Sequence, residues 1–217
     1  MAKIILVGAQ KGGCGKSTAC INLAAALVNK NYSVTVLDAD EQPTSSQWGS
    51  VRESDQPRTK KIIFIQEYGD ISNAIANIDT DYLLIDAAGH DSVELRSAML
   101  LCNVLLIPFK PTIADLSTLS YMSGVITKAL DHNPTMAVLG FINIAPTNIL
   151  MKDANMARML ISEYPEIKLC DTIVCNRSAY LNGLGLGLGV TEMACKSASE
   201  HLACKEINDL MMEVING

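Results

Sequence analysis

Lys11, Lys16 and Ser17, set among Gly12, Gly13 and Gly15, make up the stretch of this sequence whose residue types and spacing speak most directly of chemistry. The run Lys11-Gly12-Gly13-Cys14-Gly15-Lys16-Ser17-Thr18 carries the G-K-[ST] ending of a phosphate-binding loop. In such a loop, glycines let backbone amides close on phosphate oxygens. The lysine reaches the outer phosphates, and the hydroxyl helps to hold Mg²⁺. Gly15, Lys16 and Ser17 match that pattern, Gln10 stands where the first glycine is usual, and Lys11 adds a second cation. Further on, Asp38-Ala39-Asp40 and Asp86 each follow an apolar run, which puts carboxylates at the ends of strands. A carboxylate after Leu83-Leu84-Ile85 can bind Mg²⁺ directly or through a water; its plainer role is to cap the next helix.

Those groups need a scaffold, and the flanking sequence supplies one. Ile4-Ile5-Leu6-Val7 reads as a buried strand, and Ala19 to Leu27 as a helix, so the glycine-rich turn joins strand to helix and aims the helix N-terminus at the phosphates. Further strands are expected at 33–37, 61–65, 82–85, 104–107, 137–142 and 169–174. Helices are expected near 16–30, 91–101, 113–130, 149–163 and 191–215, with Thr191 capping the last. Alternation without a linker implies one α/β domain over residues 1–217, a doubly wound and mostly parallel sheet with ligands at the carboxyl ends of its strands. Residues 50–60 read as a polar exposed connection, and Asn182–Gly189, with strictly alternating glycines, as a surface loop or an interface element.

Composition bounds the class. The 217 residues are 49% hydrophobic but only 5% aromatic, as an aliphatic core between helices and a parallel sheet would be. No apolar run reaches about 18 residues, and a signal-peptide layout is lacking, so a cytoplasmic protein is expected. None of the seven cysteines forms a C-x-x-C pair, which favours reduced thiols used as small apolar residues.

The run from Lys11 to Thr18 resembles the K-G-G-x-G-K-[ST] "deviant Walker A" loop of the ParA/MinD family of P-loop ATPases. The resemblance implies that Lys11, Gly12, Gly13, Cys14, Gly15, Lys16, Ser17 and Thr18 hold ATP or ADP, and that Lys11 reaches the nucleotide of a second subunit. Otherwise Lys11 is a surface lysine. Asp38-Ala39-Asp40-Glu41-Gln42 resembles the family's D-x-D-P-Q segment, with Glu41 in place of proline. By that likeness Asp40 orients the attacking water, and Asp38 joins Ser17 and Asp86 around Mg²⁺; a solvated acidic turn is the alternative. The catalytic set is then Lys11, Lys16 and Asp40. Asn143, at the end of Gly140-Phe141-Ile142-Asn143, corresponds to an asparagine that contacts adenine, although Ile144 replaces the arginine usual after it. Ile107-Pro108-Phe109-Lys110-Pro111-Thr112 resembles the stretch leading to the helix that faces the partner subunit, and Asp115 falls at the start of that helix.

Within the family, the compact length resembles the small ParA proteins of plasmid or chromosome partition. The implied function is an ATP-dependent homodimer that hydrolyses ATP to ADP and phosphate. It would bind nonspecific DNA or assemble further, associate with the nucleoid, and act with a ParB-type partner. Lys152, Arg158, Arg177, Lys196 and Lys205 are the candidate basic patch, set against a net charge of −6. The last helix mixes Lys205 with Glu206, Asp209 and Glu213, which argues against a MinD-like membrane anchor. A small-molecule enzyme of the dethiobiotin-synthetase or cobyrinate-amidating kind, a MinD-like positioning ATPase and a nucleotide-binding scaffold with little turnover are the other readings.

Overall fold

The computed structural model describes residues 2–54, 61–112, 115, 117–148 and 151–217, with backbone alone at 151–154. In chain order the elements are β1 (Lys3–Val7), α1 (Lys16–Asn29), β2 (Val34–Ala39), α2 (Thr44–Ser54), β3 (Ile62–Gln66), α3 (Ser72–Ala76), β4 (Tyr82–Ala87) and α4 (Val93–Met99). They continue as β5 (Val104–Phe109), α5 (Leu119–Leu130), β6 (Ala137–Ala145), α6 (Met151–Ile161), β7 (Lys168–Cys175), α7 (Ser178–Gly185), a 3₁₀ turn (Val190–Glu192) and α8 (Ala198–Asn216). The strands lie in the order β3-β2-β4-β1-β5-β6-β7 and every neighbouring pair is parallel.

Parallel strands covered on both faces need apolar side chains at successive positions, which is why Leu83-Leu84-Ile85 and Val104 to Ile107 are all buried. Alternate residues serve opposite layers. Ile5, Val36, Leu84 and Leu106 pack with α1 and α8, while Leu6, Leu37, Leu83 and Leu105 pack with α4 and α5. The consecutive alanines Ala24, Ala25 and Ala26 are fully buried, so α1 packs closely on every side. A Cβ on Gly189 would collide with that of Ala25, an approach only glycine permits. β1 lies between β4 and β5, and the crevice at the carboxyl ends of these strands is where a doubly wound sheet takes its ligand.

Several elements depart from the sequence reading. Much of the expected connection at 50–60 is helix: α2 runs to Ser54 with Trp48, Gly49 and Arg52 buried, and residues 55–60 lie outside the described residues. Trp48 meets Phe64 edge-on, with ring centres 5.7 Å apart, so β3 gives α2 its footing. The expected loop at 182–189 is in part α7, and beyond it Gly187 adopts φ +60° against the backbone of Arg52. The last helix starts at Ala198. Ser197 caps it by accepting from the Glu200 amide, and Glu200 reciprocates, whereas Thr191 sits in the 3₁₀ turn. The expected helices at 113–130 and 149–163 correspond to α5 and α6, positions 113, 114, 116, 149 and 150 being outside the described residues.

Candidate functional site

Gly13 and Gly15 adopt φ of +72° and +88°, a left-handed geometry that L side chains resist, and so bend the chain from β1 into α1. Gly15 is the N-cap of α1. No side chain bonds the first amides of that helix and no acid occupies its first turn, so the positive end of α1 faces the loop. Lys16 is only 6% exposed, and its Nζ lies 3.5 Å from the Lys11 carbonyl, a long contact for a buried ammonium. The turn after β4 comes down on the loop. A Cβ on Gly89 would be 2.9 Å from both Gly12 Cα and Lys16 Nζ. Between them opens a cleft of about 560 Å³, lined by the loop, Asp40, Glu41, Gly89 and His90 among others.

The carboxylates are brought there by register. β2 and β4 pair Asp38 with Asp86, and both side chains are fully buried. Asp86 Oδ2 accepts from Ser45 Oγ at 2.5 Å, and the Ser17 hydroxyl lies close enough to favour the charged form of this carboxylate. Asp86 Oδ1 is buried with no partner. Burial pushes the Asp86 carboxyl up to about 7, against the Ser45 hydrogen bond and the nearby Ser17 hydroxyl, which favour its charged form. Asp38 is raised too, chiefly by burial. Its Oδ2 accepts from the Ser46 amide at 2.7 Å and its Oδ1 from the Asp40 amide at 3.3 Å, so it fastens the start of α2. Asp40, half-buried, accepts from the Gln42 amide at 3.0 Å at the edge of the cleft.

An orphaned carboxylate oxygen beside a serine hydroxyl is a donor set suited to Mg²⁺, which takes oxygen ligands and is commonly held by one or two carboxylates plus phosphate oxygens and water. Among the described residues no group of three or more His, Cys, Asp or Glu forms a metal cage, and the seven cysteines are all free.

Lys11 does not point away from its own chain. Its Nζ donates to Asp115 Oδ1 at 2.6 Å, and Asp115 Oδ2 accepts from the Lys110 amide at 3.0 Å. Asp115 is therefore the buried partner of Lys11 and more than a charge at a helix start. Asn143 Nδ2 donates to the Cys14 carbonyl at 2.8 Å, so this side chain braces the loop. It also lines a second cavity, of about 140 Å³, with Gly15, Thr18, Asn176, Arg177 and Tyr180. Ser45 was invisible as a site residue in the sequence, because only the fold of α2 delivers it to Asp86.

The basic patch is much reduced. Arg177 is half-buried with its side chain bound to Glu206 at 2.6 Å, and Lys205 is paired with Asp209. Arg158 and Lys196 are exposed, and the Lys152 side chain lies outside the described residues. Among the described residues no helix is long and apolar enough to cross a membrane.

Comparison with known proteins agrees with this geometry. Residues 5–185 match the model of the CobQ/CobB/MinD/ParA nucleotide binding domain. The chain is 24% identical to maintenance of carboxysome distribution protein A of Halothiobacillus neapolitanus over 207 residues, 94% of this chain and 93% of that protein. The solved structure of MinD from Pyrococcus horikoshii with Mg-ADP is similar at a TM-score of 0.76 and 18% identity, over 99% of this chain and 96% of the other. A plasmid partition protein from Borrelia burgdorferi is similar at a TM-score of 0.68 and 16% identity, over 98% of each chain.

Proposed function

The chain belongs to the CobQ/CobB/MinD/ParA nucleotide-binding family as a ParA/MinD-type ATPase, and on that premise we propose that it is an ATP-driven dimerisation switch for partition or positioning. The observation that carries the site is the unpartnered Asp86 Oδ1 beside Ser17, next to a buried Lys16. A buried acceptor and a buried cation left without close partners are costly unless a ligand completes them.

The loop amides of Gly12 to Thr18 and the N-terminus of α1 take the phosphates, with Lys16 on the outer ones. Ser17 and Asp86 would hold Mg²⁺, with Asp38 behind them. When bound, the ion neutralises charge on the phosphate oxygens. Asp40 orients a water that attacks the terminal phosphorus. The bond to the bridging oxygen breaks, and ADP and phosphate leave. Lys11 of a second copy exchanges its Asp115 partner for the transferring phosphoryl group and stabilises its charge, which links nucleotide state to dimer state. Asn143 Nδ2 is committed to the Cys14 carbonyl, which leaves its Oδ1 as the acceptor suited to an adenine amino group.

The cellular role we infer is cytoplasmic and nucleoid-associated: segregation of plasmid or chromosomal DNA with a ParB-type partner. A second reading, positioning of a cargo other than DNA, is favoured by one observation. Arg177 and Lys205, two of the five candidate basic residues, are tied up in ion pairs, which thins the positive charge that this patch offers to phosphates. The test is steady-state ATP hydrolysis with and without nonspecific duplex DNA, with mass in solution measured in ADP or a non-hydrolysable ATP analogue. An ATP-only dimer that binds DNA supports partition, and an ATP-only dimer indifferent to DNA supports the second reading. A nucleotide-insensitive oligomer overturns the switch.

A further inference from the structure

The 140 Å³ cavity beside the phosphate loop is walled on its far side by Cys175, Asn176, Arg177 and Tyr180, where β7 passes into α7. One carboxylate, from α8, holds that wall. Glu206 Oε2 accepts from the Cys175 amide at 3.2 Å and from the Tyr180 hydroxyl at 3.2 Å, while its Oε1 accepts from Arg177 Nε at 3.0 Å and Nη2 at 2.6 Å. The Arg177 side chain is only 8% exposed, so its orientation depends on this one acidic partner. On the near side the cavity meets Gly15 and Thr18, so a planar base attached to phosphates in the loop would enter here.

We propose that Glu206 is a positioning residue for the base half of the nucleotide site, setting the wall against which the purine packs while leaving the phosphate half untouched. This rests on the reading of the cleft as a nucleotide site. The cavity is small and mostly apolar, so a base has only a few fixed polar groups with which to be recognised, and their placement depends on residues 175–180. The side-chain hydrogen bonds of Glu206 go to that segment, whereas the phosphate loop is held by Asn143 and its own glycine geometry. Asn143 serves both halves of the site, whereas Glu206 supports the base wall alone, so a change at Glu206 separates base recognition from phosphate recognition.

Three proteins test this: the unaltered chain, Glu206→Gln, and the milder Tyr180→Phe, which removes one hydroxyl from the network. Each is titrated with Mg-ATP, Mg-GTP and Mg-tripolyphosphate, and its KM and kcat for ATP are measured. Weakening a charge-assisted network by one formal charge is expected to raise Kd and KM for ATP about tenfold in Glu206→Gln, equivalent to about 1.4 kcal/mol. Its kcat and its affinity for tripolyphosphate stay within about twofold of the unaltered chain, because neither depends on the base wall, and its preference for ATP over GTP narrows. Tyr180→Phe shifts the same quantities in the same direction by less. Unchanged ATP affinity in both variants overturns the proposal, as does an equal loss for ATP and tripolyphosphate, which would make Glu206 a fold residue only. Should Glu206→Gln fail to fold, Tyr180→Phe alone decides by the same split. If the unaltered chain binds neither ATP nor tripolyphosphate, the nucleotide reading itself fails, an outcome separate from any behaviour of the variants.

Discussion

Two regions of the molecule handle poorly exposed charge in opposite ways. At the phosphate end, Asp86 keeps an unpartnered oxygen, Lys16 has only a 3.5 Å contact with a carbonyl, and the Gln10 and Ser46 side-chain oxygens are also buried without partners. Around α7, the 3₁₀ turn and α8, weakly exposed charges are matched. Arg177 meets Glu206, and Arg52 meets Glu192 through two bonds of 2.7 and 2.6 Å, with a further bond to the Gly187 carbonyl. Beside the phosphate loop, the unpartnered Asp86 oxygen and Lys16 mark the place where a charged ligand completes the structure, and the paired charges around α7 and α8 belong to the frame that holds that place still. One region is arranged for chemistry at some cost in stability, and the other for rigidity.

The contrast can be broken or sharpened by substitution. The largest effect is expected from Lys11→Ala. ATP binding should persist while turnover falls about a thousandfold, as for loss of a trans-acting cation, and ATP-dependent dimerisation should vanish by sedimentation. Lys16→Ala should weaken nucleotide binding about a hundredfold in calorimetric titration while leaving the melting temperature within a few degrees, since its charge has no matched partner to lose. Arg52→Met should do the reverse. Stranding Glu192 should cost about 3 kcal/mol of stability in denaturant unfolding, with nucleotide affinity within about twofold. A large fall in affinity there would mean that α2 couples the two regions and that they are not separate. The smallest effect belongs to Ser45→Ala. Removing one donor from Asp86 should change Mg²⁺-dependent nucleotide affinity by about 1 kcal/mol, or severalfold, read as a shift in the Mg²⁺ titration midpoint.

Much of the phosphate end was legible in the sequence, and little of the C-terminal frame was. Gly13, Gly15, Lys16 and Ser17 act within a few residues of one another, so their spacing carries their geometry. Asp38 and Asp86 were legible because each ends an apolar strand, and strands of a doubly wound sheet end at the same edge. Arg52 could not be read as buried, because the polar run around it looks solvated until Trp48 lands on Phe64 and Gly187 on the α2 backbone. The true start of the last helix was within reach of the sequence: Ser197 and Glu200 have capping-box spacing, a stronger signal than Thr191 alone. Asn143 was singled out in the sequence by resemblance, but its bond to the Cys14 carbonyl spans 129 positions and is a product of packing.

The sequence by itself determined the parallel α/β layering, the glycine-bent loop at the N-terminus of α1 and the identities of the aspartates at the strand ends. Apolar runs, glycine torsions and caps act over short range and need no partner from elsewhere in the chain. Tertiary structure alone decided that Lys11 rests on Asp115, that Ser45 supports Asp86, and that Glu206 gathers Cys175, Arg177 and Tyr180 into one wall. Each of those depends on which charged groups are removed from water together. That is settled only when distant segments pack, because a buried charge must find its partner among whatever the fold brings beside it.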